Sequence, residues 1–74
     1  MPELIIIDHT GDTKSIWNPQ NDAEVEAARA TFNALKKKGY IGYRVQPGGD
    51  KGEILHEFDP NAEKVILAPP VAGG

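Results

Sequence analysis

The sequence predicts an α+β domain, a mixed sheet of four to five strands packed on one helix. Three observations predict it. Short β-branched or alternating runs recur along the chain, each bounded by turn residues. A single segment of helical period stands among them. The two most apolar runs are the first and the last, Leu4-Ile5-Ile6-Ile7 and Val65-Ile66-Leu67-Ala68.

Leu4 to Ile7 is apolar at consecutive positions, the pattern of a strand covered on both faces. Asp8-His9-Thr10-Gly11-Asp12 supplies turn chemistry, with Gly11 free to take positive φ. Thr13 to Trp17 reads as a second strand alternating around Lys14 and Ile16, and the pair reads as a hairpin.

Asn18-Pro19 ends that strand, because the residue before proline is pushed toward extended geometry. Asn21 then caps a helix running to about Lys38, with Glu24 in a capping-box position. Asp22, Glu24 and Glu26 load its start and Lys36, Lys37 and Lys38 its end, as the macrodipole favours. Val25, Ala28, Phe32 and Leu35 form one apolar face, and Gly39 stands where a left-handed C′ residue belongs.

Tyr40 to Val45 alternates, with Ile41, Tyr43 and Val45 on one face and Tyr40, Gly42 and Arg44 on the other. Residues 46–52 form a glycine-rich loop. Glu53 to Phe58 reads as a fourth strand, with Ile54, His56 and Phe58 opposing Leu55 and Glu57. Lys64 to Ala68 is the fifth, stopped by Pro69-Pro70, which cannot donate to a ladder. If the apolar first and last strands are neighbours they run parallel, because helix and middle strands make the long crossover. That architecture is the β-grasp (ubiquitin-like) fold, expected over residues 1–68 with a flexible diglycine tail at 69–74.

Composition narrows the chemistry. With 74 residues the chain makes one small domain, and with no cysteine it has no disulfide, thiolate site or cysteine nucleophile. A net charge of −3 argues against a dedicated nucleic-acid binder. Met1-Pro2-Glu3-Leu4 has no basic region before its apolar run, so no signal peptide is expected, and no membrane span either. A cytoplasmic location is the expectation. His9 and His56 are too few for a zinc site without cysteine, and Asp8 beside Thr10-Gly11 reads as an Asx turn. No nucleophile with base and orienting group is visible, so the chain is not expected to be an enzyme. Lys36, Lys37, Lys38, Arg44 and Lys51 read as a solvated helix end and scattered surface charge.

Diglycine alone is weak evidence, since ordinary glycine usage gives it to about one chain in 200. The longer closing segment is more specific. Glu63-Lys64-Val65-Ile66-Leu67-Ala68-Pro69-Pro70-Val71-Ala72-Gly73-Gly74 resembles the C-terminus of the molybdopterin synthase small subunit, among the β-grasp sulfur carriers related to ubiquitin. The resemblance covers roughly the last dozen residues. It implies that Gly74 carries an activated carboxylate and that Gly73 threads a partner's active site. It also implies that Pro69, Pro70 and Val71 meet that partner. ATP is then the partner's cofactor, none being bound by this chain, and the partner is an activating enzyme or acceptor protein. Trp17, if exposed, is a further anchor for a protein partner. The alternative is a non-enzymatic adaptor or structural subunit. A helix covers only one sheet face, so alternate residues of the first and last strands are expected to form an exposed apolar face. Such a face suits a partner, a homodimer or a larger assembly.

Overall fold

The computed structural model describes residues 1–45 and 52–70. The chain runs β1 (Glu3–Asp8), β2 (Gly11–Ile16), α1 (Asp22–Lys37), β3 (Ile41–Arg44), β4 (Ile54–Leu55) and β5 (Lys64–Ala68). The strands form one mixed sheet in the order β2-β1-β5-β3-β4, with α1 packed on one face. β1 and β5 are adjacent and parallel, Leu4 beside Val65 and Ile6 beside Leu67. The other pairings are antiparallel. This is a β-grasp-like arrangement, and the two most apolar runs occupy its interior as expected.

The helix ends are fixed locally. Asn21 Oδ1 accepts from the backbone N–H groups of Ala23 (3.0 Å) and Glu24 (3.2 Å), satisfying two orphan donors. Glu24 reaches back, but to Asn18 N and Asn21 Nδ2 rather than to the cap's own N–H, which donates to the Asn18 carbonyl. At the other end Tyr40 N donates to Leu35 O and Gly39 N to Lys36 O, both at 3.0 Å, a Schellman closure. Gly39 takes φ +97°, the left-handed conformation this closure requires.

The core lies between α1 and the sheet. Leu4, Val65 and Leu67 point up from the central strands to meet Val25, Ala28 and Phe32, with Leu35 and Ile6 packed at its margin. Phe58 stands between Trp17 and Phe32, its ring centroid 5.0 Å and 5.8 Å from theirs. Gly42 lies beneath Phe32, where an added Cβ would stand 2.7 Å from the ring.

Three expectations are corrected. β1 is covered on one face only, because the single helix leaves the side of Ile5 and Ile7 open. The fourth strand stops after Leu55, since the chain there leaves the sheet to drive Phe58 and Ala62 into the core. Phe58 is therefore 5% exposed while Ile54, expected on its face, is 51% exposed. The second strand ends at Ile16, and Trp17 turns inward beyond it.

Candidate functional site

β5 is the central element of any reading that uses the residues after it. It lies between β1 and β3, hydrogen-bonded on both sides, and delivers the chain to Pro69 and Pro70 at one end of the sheet. Pro69 is half-buried and Pro70 exposed. Pro70 sits against the end of α1, its Cγ 3.5 Å from where a Cβ on Gly39 would be. The Schellman glycine thus also shapes the floor on which the exit rests. Two successive prolines, each with fixed φ, then make the departure stiff. Val71, Gly73 and Gly74 lie outside the described residues, as do residues 46–51 of the loop expected at 46–52.

Trp17 is not a surface anchor. It is 1% exposed, and its Nε1–H donates to the Pro60 carbonyl at 3.3 Å, so ring and polar tip are both used inside the fold. The partner role expected of an exposed Trp17 has no surface to act through.

The sequence predicts an open apolar face but not which alternate set forms it, and in the structure Ile5 and Ile7, not Leu4 and Ile6, lie on the open side. Ile5 and Ile7 from β1, Ile66 and Ala68 from β5, and Tyr43 with Val45 from β3 line a shallow groove of about 530 Å³, with Lys64 at one end. Ile54 and Ile16 extend the apolar surface toward the two edges, since their ladder partners Tyr43 and Glu3 project to this side. Charges sit at its border. Glu3 accepts ion pairs from Lys14 (3.4 Å) and Lys64 (3.7 Å), which places a small charged group beside the isoleucines. The surface is apolar in the middle and charged at the border.

Arg44, expected to belong to a scattered basic surface, is bound in place. Its guanidinium bridges Asp59 and Glu53, tying β3 to the segment carrying Phe58. Its Nε is buried without a hydrogen-bond partner among the described residues. At the β1–β2 turn, Asp8 Oδ1 accepts from the backbone N–H (2.8 Å) and the hydroxyl (2.7 Å) of Thr10. Those two bonds hold its carboxyl below the ordinary aspartate range, the hydroxyl contributing most. This is the expected Asx turn. Among the described residues no group of three His, Cys, Asp or Glu side chains gathers as a metal site, and no helix is long and apolar enough to cross a membrane.

No protein-family model, curated protein or solved structure matches the chain.

Proposed function

We propose that this chain is a small protein carrier of the sulfur-carrier and ubiquitin-like type, with the Gly74 carboxylate as its working group. One observation carries the reading. A β-grasp-like sheet places its central strand β5 directly before Pro69-Pro70-Val71-Ala72-Gly73-Gly74, so a rigid domain holds a stiffened, then side-chain-poor, segment. Glycines at 73 and 74 suit a tunnel too narrow for a Cβ. In the chemistry proposed, a carboxylate oxygen of Gly74 attacks the α-phosphorus of ATP on a partner enzyme and pyrophosphate leaves. A sulfur or amine nucleophile then displaces AMP, giving a thiocarboxylate or a conjugate. The partner supplies the catalysis in the cytoplasm, and this chain supplies the substrate carboxylate and a surface by which to be recognised.

A second reading is favoured by a different observation, the apolar groove along Ile5, Ile66 and Tyr43. An adaptor or structural subunit would use that face and make no demand on Gly74. The two readings separate on one experiment. Deletion of Gly73 and Gly74, or addition of one residue after Gly74, should abolish function in a complementation assay while leaving thermal stability nearly unchanged. Full complementation by the extended protein would leave the adaptor reading in its place.

A further inference from the structure

The sheet has two unlike edges. β4 is two residues long and offers little to pair with, whereas β2 is six residues long, exposed throughout, without proline and in unbroken register with β1. A regular edge of that length is a template for another strand. The backbone directions on it follow from the ladder. Trp17 N donates to the Pro2 carbonyl at 3.2 Å, so Trp17 belongs to an inward-bonded pair. By the alternation of an antiparallel ladder, Ser15 and Thr13 also bond inward, while Asp12, Lys14 and Ile16 turn their N–H and C=O outward.

The side chains then decide which strand fits. Asp12 and Lys14 lie opposite Ile7 and Ile5, so both project on the open face, while Thr13 and Ser15 lie opposite Ile6 and Leu4 on the helix side. Cross-strand partners must share a face, so a shift of a single residue is forbidden. Among two-fold antiparallel registers that keep the faces, centring on Lys14 sets lysine against lysine, and centring on Asp12 sets aspartate against aspartate. Centring on Thr13 sets Asp12 of each copy opposite Lys14 of the other, with threonine facing threonine and Gly11 facing Ser15. Opposite charges and paired threonines are favourable cross-strand neighbours, and like charges are not. The outward backbone groups of Asp12 and Lys14 are also the ones this register requires to exchange both hydrogen bonds.

We propose that β2 pairs with β2 of a second copy of this chain, antiparallel about Thr13, joining two sheets edge to edge. Such an isologous contact uses the same edge in both copies and therefore closes at two. Lys14 also bonds Glu3 in its own chain, and Lys64 keeps that carboxylate paired when Lys14 turns to its new neighbour. The proposal is independent of the carrier reading and leaves the apolar groove and Pro70 uncovered.

Sedimentation equilibrium of the full chain at low salt tests it, with circular dichroism confirming that each variant folds. Wild type should show a monomer–dimer equilibrium. Asp12→Lys should weaken the dimer about tenfold or more by opposing two lysines twice, and the swap Asp12→Lys/Lys14→Asp should recover most of that loss. Lys14→Pro removes an outward N–H while sparing the bonds to β1, and should abolish the dimer. Ile66→Glu, on the open face, should leave it intact. A monomer at every concentration overturns the proposal. So does a swap no better than Asp12→Lys, or a dimer that survives Lys14→Pro and is lost in Ile66→Glu.

Discussion

The two faces of this sheet are built from alternating residues of the same strands, and their apolar content is similar, yet they do different work. On one side Leu4, Val65 and Leu67 are 0% exposed beneath α1. One residue away along each strand, Ile5, Ile66 and Ala68 line an open groove. Strand composition alone does not separate these sets, because β1 and β5 are apolar at every central position. What separates them is a single helix, which has one apolar stripe and can cover one face. The apolar residues of the other face are therefore left open to solvent.

The largest break in this comparison is expected from Phe32→Ala. Phe32 is 0% exposed and packs on Phe58 and over Gly42, so truncation should cost about 3–5 kcal/mol in denaturant unfolding. A change within about half a kcal/mol would mean that the helix-covered face does not carry the stability. Gly42→Ala probes the same contact from below. Its Cβ would meet the Phe32 ring at 2.7 Å, and a loss of about 1–3 kcal/mol is expected. The matching change on the open face is Ile7→Thr, at a position 38% exposed. It should shift stability by less than about 1 kcal/mol while weakening any complex made through the groove. Equal losses at residues 7 and 32 would erase the distinction between the faces.

The smallest effect concerns the end of the sheet. Asp8 has its folded pKa depressed by Thr10, so its contribution to stability is present above the ordinary aspartate range and is lost as pH falls through the lower folded value. An NMR titration should place its midpoint below that range, and Thr10→Ala, which removes the hydroxyl bond, should bring it upward. No movement in Thr10→Ala would show that the hydroxyl does not set it.

Legibility in the sequence followed how local the cause was. Asn21, Gly39 and the lysines at 36–38 announced the helix because capping and dipole effects act within one turn. β5 was readable from an apolar run ended by prolines, and its neighbour followed from matching the two apolar strands. β4 was over-read because Ile54, His56 and Phe58 share a strand's alternation, while the pull on Phe58 comes from Trp17 and Phe32, far away in sequence. Trp17 was ambiguous for the same reason, since Pro60 supplies its hydrogen bond. Of the candidate site, the existence of an open apolar face was legible once one helix was counted, but not which alternate residues form it, because β1 and β5 are apolar on both sides. The seat of Pro70 against Gly39 was not, because it depends on where β5 ends relative to α1.

The proposed carrier role turns on the chemical state of Gly74, and intact-mass analysis of the protein recovered from its native host reads that state directly. The expected result is a fraction bearing an oxygen-to-sulfur exchange at Gly74, or covalently joined through the Gly74 carbonyl to another molecule, with fragment ions placing the change on the last residue. A population consisting only of the unmodified chain, or one in which the polypeptide continues past Gly74 without processing, would contradict it.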